Sequence, residues 1–158
     1  MRPPNQFSHC FAFESDFIGN WRCIPLCVRR KLDLIGVKLK LSHWLELSQD
    51  QRQELVEWPD QPPALEQLST QLFRWTSTMV DGQARAIPPA QAEPWQEANE
   101  VPVEVERAAR ERGVPLNVDQ WRQLGELERF ALCKLARPGH DHQNLDAAFS
   151  EVVGPSGQ

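Results

Sequence analysis

The chain has 158 residues, of which 41% are hydrophobic and 25% charged, a composition typical of one ordinary globular domain. Its 17 basic and 22 acidic residues give a net charge of -5, which argues against general nucleic-acid binding. No apolar run approaches the roughly 20 residues that span a bilayer, and the first residues lack the apolar core of a secretory signal. We therefore expect a cytoplasmic protein that binds neither membrane nor nucleic acid.

The N-terminal part of the chain predicts an aromatic arm followed by one helix. The stretch "FAFESDF" is expected to form a short strand or to lie extended across a helical core. Residues 1–6 are expected to be a flexible N-terminus and residues 154–158 a disordered tail. A helix is predicted over about 25–35, with Pro25 at its first position and Gly36 at its end. Its apolar stripe recurs every three to four residues, at Ile24, Val28, Leu32 and Ile35.

The middle of the chain predicts two further helices. Ser42 is expected to cap a short turn after the alternating stretch "VKLKL". Ser48 and Gln51 have the spacing of a capping box, so they open a helix that should end near Trp58. The next helix is amphipathic, with a stripe at Leu65, Leu68, Leu72, Trp75 and Met79.

The last part of the chain begins with a proline-rich loop over 82–102, which Trp95 is expected to hold against the core. Pro102 can start a helix that Gly113 stops, and a helix or helix pair is predicted over about 118–136. A final helix has its apolar positions at Leu145, Ala148, Phe149 and Val152.

Two segments of the chain resemble each other. "GVKLKLSHWLELSQDQRQEL" from Gly36 and "GVPLNVDQWRQLGELERFAL" from Gly113 align without gaps at an offset of 113 − 36 = 77. The identical pairs are Gly36/Gly113, Val37/Val114, Leu39/Leu116, Trp44/Trp121, Leu47/Leu124, Arg52/Arg129 and Leu55/Leu132. We infer a duplication, or convergence on one supersecondary unit, and expect pseudo-repeats at about 24–58 and 102–136.

These pseudo-repeats predict an all-α fold: a compact single-domain helical bundle over residues 7–153, built from two helix–turn–helix halves. The halves are expected to share a core around Trp44 and Trp121. Arg52 or Arg129 would then be buried against carboxylates or helix ends.

Charge is distributed unevenly in the first half. The stretch from Arg22 to Lys40 contains six basic residues and one acidic residue, Asp33. This basic block can receive an anion or an acidic protein face, although a solvated helix face is the other explanation.

The cysteines and histidines leave two readings open. The four cysteines match no structural zinc pattern, so buried free thiols are the ordinary interpretation. Cys23 and Cys27 could instead form a mixed metal site with His140 or His142, and Cys133 with His140 is a conceivable catalytic dyad. Because Cys133 follows the apolar period of its helix, we expect it to pack.

Enzymatic motifs are missing: there is no P-loop, no Gly-x-Gly-x-x-Gly, no Gly-x-Ser-x-Gly and no His-Glu-x-x-His. We therefore assign no catalytic residue, no metal ligand and no cofactor, and an enzyme is not the leading hypothesis.

Two blocks of the chain resemble the cyanobacterial nitrate reductase-associated proteins. The first contains "FAFESDF", "RCIP", "KLD" and "GVKLKLSHW", and the second contains "RFALCKLARPGH". The order and rarity of these motifs make the resemblance specific, and Leu26, where the family has Met, is the one departure. The resemblance implies an accessory or maturation role for assimilatory nitrate reductase, a cytoplasmic molybdenum enzyme with an iron–sulfur cluster, and no nitrate reduction by this chain itself.

The leading hypothesis is thus an all-α accessory protein that binds nitrate reductase during cofactor insertion or activation. Its docking surface is expected to combine an early arginine-rich part with a late histidine turn: Arg22, Cys23, Arg29, Arg30, Lys31, Arg137, Gly139, His140 and Asn144. The arginines would hold carboxylates or cofactor phosphate, and His140 would orient a group or move a proton. The alternative is a small metal- or cofactor-carrying redox protein that uses Cys23, Cys27 and His140. The sequence leaves the oligomeric state open.

Overall fold

The computed structural model describes residues 6–15, 22–137 and 144–154, and within these ranges the protein is mostly helical. The described helices are α1 (Leu26–Ile35), α2 (Leu41–Glu46), α3 (Gln49–Glu57), α4 (Pro62–Thr76), α5 (Val103–Glu111), α6 (Val118–Gln123), α7 (Glu126–Leu135) and α8 (Leu145–Val152). Three 3-10 turns cover Gln6–Ser8, Ala12–Glu14 and Pro94–Gln96, and one small sheet contains β1 (Val37–Lys38) and β2 (Arg85–Ala86). The predicted all-α class is confirmed.

The described residues divide into two compact units. The first unit contains residues 6–10, 14–15 and 22–91, and the second contains residues 11–13, 92–137 and 144–154. The expectation that residues 7–153 form one domain stays a prediction. No helix of the described segments has both the length and the apolar character needed to cross a membrane.

In the first unit, Gly36 ends α1 in the left-handed conformation, with φ of 70°, and turns the chain into β1. A side chain would not fit at this position, because a Cβ atom would lie 2.3 Å from the carbonyl oxygen of Ile87. That approach belongs to the antiparallel β1–β2 pair, in which Val37 lies opposite Ala86 and Lys38 opposite Arg85. The sheet therefore attaches the start of the proline-rich loop to the end of α1.

In the second unit, the proline-rich loop is held through two tryptophans. Trp95 is buried, and its ring meets that of Phe130 on α7 edge to face, with the ring centroids 5.0 Å apart. Trp121 is also buried, and its indole N–H donates to the carbonyl oxygen of Glu97 at 2.9 Å. The expected contact of Trp95 with the core is thus present.

The two related segments have the same local structure at the predicted offset. Each begins with a left-handed glycine, since Gly113 has φ of 66°. The bounds of α6 are those of α2 shifted by 77 residues, and α7 begins 77 residues after α3. In both segments the short helix carries a fully buried tryptophan, Trp44 or Trp121. Two extended residues follow that helix, Leu47 and Ser48 in one segment and Leu124 and Gly125 in the other.

Two details of the N-terminal half differ from expectation. Ala12 and Phe13 lie in a 3-10 turn and not in a strand, because both backbone N–H groups donate to the Glu151 carboxylate, at 2.8 and 3.1 Å, whereas neighbouring N–H groups of a strand point in opposite directions. Ser42 lies inside α2 instead of capping it, and its hydroxyl bonds the carboxylate of Asp81.

Candidate functional site

The exposed part of the expected docking surface in the first unit lies at the start of α1. Arg22 is exposed and Cys23 is half-buried just before the helix. Arg29 is exposed on its second turn, and its Nε donates to the carbonyl oxygen of Ile24 at 3.1 Å. Because both side chains are exposed, the guanidinium groups of Arg22 and Arg29 can receive an anionic group.

Arg30 and Lys31 lie in the interior of the first unit, which corrects their expected place on the docking surface. The guanidinium of Arg30 forms an ion pair with Asp60 at 3.0 Å and is 10% exposed. Lys31 is fully buried, and its ammonium donates to the carbonyl oxygens of Leu55 and Val56 at 2.9 and 2.7 Å. Both acceptors belong to the last turn of α3, where the helix dipole favours a cation.

A spacing in the sequence could have indicated that Lys31 is buried. Lys31 follows Cys27 by four residues and Val28 by three, and so it shares their face of α1. A count of basic residues along the chain does not take account of this helical spacing, and so it does not distinguish buried from exposed positions. Burial lowers the pKa of Lys31 to about 8, against the opposing effects of Cys27 and Asp60.

The N-terminal segment contributes three groups beside the buried lysine. The ring of Phe7 lies under the Lys31 ammonium, 5.7 Å from Nζ to the ring centroid. The fully buried Glu14 carboxylate accepts the Leu26 N–H at 2.9 Å, which satisfies one of the free donors at the start of α1. The third is Cys10, which is half-buried; its interaction with the buried Cys27 lowers the pKa of Cys10 and raises that of Cys27. Sequence reasoning assigned no role to Cys10 or Glu14.

The late part of the expected surface belongs to the second unit and is described only at its two ends. Arg137 is exposed just after α7, and Asn144 is half-buried at the start of α8, where its side chain forms no capping hydrogen bond. Gly139 and His140 lie outside the described residues. That this turn and the arginines of α1 share one face stays a prediction.

The cysteine alternatives find limited support. Burial raises the pKa of the half-buried Cys133 to about 12, which disfavours the thiolate that a nucleophile needs. Within residues 6–15, 22–137 and 144–154, no three His, Cys, Asp or Glu residues are grouped so that they could hold a metal ion. His140 and His142, the histidines of the metal hypothesis, are outside these ranges.

The sheet contributes a basic residue that sequence reasoning missed. Arg85 on β2 lies directly opposite Lys38 on β1, and both side chains are exposed. Directly opposed residues project from the same face of a sheet, and like charges in this arrangement repel. Lys38 belongs to the basic block, but nothing in the local sequence places Arg85 beside it.

Comparison with known proteins gives one match. The family model described as "Conserved nitrate reductase-associated protein" matches residues 10–152. No curated protein and no solved structure matches the chain.

Proposed function

The chain belongs to the nitrate reductase-associated protein family, and on this premise we propose that it is a non-catalytic accessory protein of assimilatory nitrate reductase. It binds the enzyme while a cofactor is inserted or while the active conformation is reached, and it acts in the cytoplasm with that enzyme. The observation that carries the proposal is the family match over 10–152, which includes both blocks of motifs.

The exposed cations at the start of α1 support a role in binding a protein. Arg22 and Arg29 can each hold a carboxylate or a cofactor phosphate through two parallel hydrogen bonds. Cys23 lies between them in the chain. In the second unit, Arg137 and Asn144 precede and follow the stretch 138–143, which contains Gly139 and His140, and we retain these four residues in the proposed surface.

Burial removes Arg30 and Lys31 from the set of docking residues. Both are engaged with groups of their own unit, Arg30 with Asp60 and Lys31 with the end of α3. Charge reversal at either position would disrupt the fold, because it would leave buried partners unpaired. A test of docking must therefore use Arg22 and Arg29.

The test is a pull-down of nitrate reductase, in its cofactor-free and cofactor-loaded forms, with the wild-type chain and with Arg22→Glu/Arg29→Glu. The wild type is expected to retain the cofactor-free form preferentially, and the variant is expected to lose most of this binding. Arg74→Glu/Arg107→Glu is the matched control, since it reverses two exposed cations elsewhere and changes the net charge equally.

If the control variant lost as much binding as Arg22→Glu/Arg29→Glu, the loss would be explained by the change in net charge alone. The proposed docking surface would then be rejected. Absence of binding by the folded wild type would reject the accessory function. Stoichiometric metal in reductively purified protein would favour the alternative metal- or cofactor-carrying redox protein.

A further inference from the structure

One helix of the first unit leaves two large apolar side chains exposed. Leu41 and Leu45, both on α2, are 50% and 49% exposed. They are four residues apart in the chain and therefore adjoin on one face of the helix. His43 and Trp44 of the same helix are buried. Single exposed leucines are common, so the surroundings of this pair decide whether it marks a protein contact.

The corresponding helix of the second unit, α6, has no such pair. At the offset of 77, Leu41 corresponds to Val118, which is half-buried. Leu45 corresponds to Arg122, which is exposed and forms an ion pair with Asp119 at 3.1 Å. The same short helix is thus formed with an arginine at this position. The local fold does not require Leu45, and a contact with another molecule accounts for it.

Three exposed cations precede the leucine pair. Lys38 and Lys40 are exposed and Leu39 between them is buried, so both lysines project outward from the extended chain. Arg85, which lies opposite Lys38 in the sheet, is the third exposed cation. Among the residues that the structure describes, none of the three has a carboxylate partner. The start of α2 is therefore a positively charged surface that is not neutralised within the chain.

Two exposed carboxylates follow the leucine pair. Asp50 and Glu54 are four residues apart on one face of α3, and both are exposed. Neither forms an ion pair with another residue of the described ranges. Arg52, the cation between them in the chain, is directed to α2, where it donates to the carbonyl oxygens of Trp44 and Leu45. The end of α2 is thus followed by a negatively charged surface.

We infer that two copies of this chain associate through α2, with the two helices antiparallel and related by a twofold axis. Leu41 of each copy then packs against Leu45 of the other, because a twofold contact pairs each surface with itself. The cations before α2 in one copy lie beside the carboxylates after α2 in the second copy. A parallel arrangement would instead bring like charges together. Charges without a partner in one copy are therefore complementary between two copies.

The dimer is expected to be weak and sensitive to salt. A helix of six residues is about 9 Å long, so the contact should bury less than the roughly 800 Å² per partner of a stable complex. Its exposed charge pairs are screened at high ionic strength. This inference concerns a surface separate from Arg22 and Arg29, and it does not depend on the proposed function.

Sedimentation equilibrium of the full chain in low salt, from about 1 µM to 1 mM protein, measures this association. The mass of the wild type should rise from 18.1 kDa towards twice this value. Leu45→Arg should raise the dissociation constant at least about tenfold without changing the circular dichroism spectrum, since α6 carries an arginine there. A wild type that stays monomeric over the whole range would overturn the inference and leave the surface to a different protein.

Charge reversal tests the antiparallel arrangement. Lys38→Glu/Lys40→Glu and Asp50→Lys/Glu54→Lys should each be monomeric alone, because each variant places like charges opposite each other in its own dimer. An equimolar mixture of the two variants should form a dimer, since both charged contacts then join opposite signs. A mixture that stays monomeric would contradict the proposed contact.

The matched control is Arg107→Glu/Arg110→Glu. It reverses two exposed cations of α5 and changes the net charge as much as Lys38→Glu/Lys40→Glu does. This control should dimerise as the wild type does, and loss of its dimer would overturn the inference in favour of an effect of net charge. A dimer that Leu45→Arg leaves intact would overturn it equally, because the contact would then lie elsewhere.

Discussion

The segment 36–57 in the first unit and the segment 113–135 in the second unit have the same backbone conformation but different tertiary contacts. Both start at a left-handed glycine and place a buried tryptophan on a short helix. Gly36 is enclosed by the Ile87 carbonyl and Pro89, whereas a Cβ on Gly113 would meet no atom within 4 Å. The same backbone turn therefore has a tight tertiary contact in one segment and an open surface in the other.

The helix N-termini of the two segments share one hydrogen bond and differ in another. At the start of α2, α3, α6 and α7, the side chain of the third helical residue accepts the backbone N–H of the capping residue, as His43 does for Lys40 and Gln120 for Asn117. The reverse bond, from a capping side chain to the third N–H, occurs at Ser48 and at Asn117. It is missing at Lys40 and Gly125, whose side chains cannot accept it. Each segment thus has one complete and one half-complete cap.

The equivalent arginines use different acceptors. Arg52, on α3, donates to the carbonyl oxygens of Trp44 and Leu45 at 3.0 and 2.8 Å, which lie at the end of the preceding short helix α2. Arg129 donates to Leu124 at 2.6 Å and also to Trp95 of the proline-rich loop at 3.0 Å, and it is buried. Arg129 is therefore buried against a helix end, as the sequence predicted for one of the two arginines, whereas Arg52 meets a helix end but is only half-buried. Within the described residues, Arg129 additionally bonds the proline-rich loop.

The largest effect should come from the buried arginine. Arg129→Ala is expected to reduce the free energy of unfolding by about 3 kcal/mol, because buried carbonyl groups lose a charged donor. Arg52→Ala is expected to cost about 1 kcal/mol, since water can reach the exposed Leu45 carbonyl. Urea unfolding followed by tryptophan fluorescence measures both. Equal losses would mean that the two arginines have the same structural role.

The next largest difference is expected between the alanine substitutions of the two left-handed glycines. Gly113→Ala is expected to cost about 1 kcal/mol, the penalty of a left-handed residue with a Cβ. Gly36→Ala is expected to cost about twice as much or more, since the backbone at Ile87 must also move. The same urea measurement distinguishes them, and a smaller loss at Gly36 would contradict the close approach.

Lys31 has no charged equivalent, because Ala108 occupies the corresponding buried position of the second unit. The folded pKa of Lys31 is about 8 and the unfolded value 10.5, so between these pH values the unfolded chain binds more protons than the folded one. Relative to Lys31→Met, the wild type should therefore gain roughly 1 kcal/mol of stability per pH unit from pH 8 to 10. Urea unfolding of both proteins at several pH values tests this, and a pH-independent difference would refute it.

The helix caps should give the smallest changes. Ser48→Ala and Asn117→Ala are each expected to cost about 1 kcal/mol, because each removes the acceptor of one terminal N–H group. Gly125→Ser should add a few tenths of a kcal/mol by completing the box with Glu128. Thermal unfolding by circular dichroism measures all three. Destabilisation by Gly125→Ser would show that the two segments do not tolerate the same cap.

The features that sequence reasoning predicted are local ones. Helix ends depend on residues within about four positions of each other, so the local sequence is enough to predict them. This holds for the stops at Gly36 and Gly113 and for the capping box of Ser48 and Gln51. It also explains why two similar segments 77 residues apart have corresponding helix starts. In the candidate site, Arg22 and Arg29 are exposed as expected, since Arg22 precedes α1 and Arg29 lies off its apolar stripe.

The burial of Lys31 and the pairing of Lys38 with Arg85 depended on residues 24 to 47 positions apart. Composition and periodicity contain no information on which distant carbonyl receives an ammonium or which basic side chains lie opposite each other. By itself, then, the sequence determined the helices, their ends and the family of the chain, because backbone sterics and motif order act over short distances. The tertiary structure decided which cations and thiols are accessible, because burial depends on packing between elements far apart in the chain.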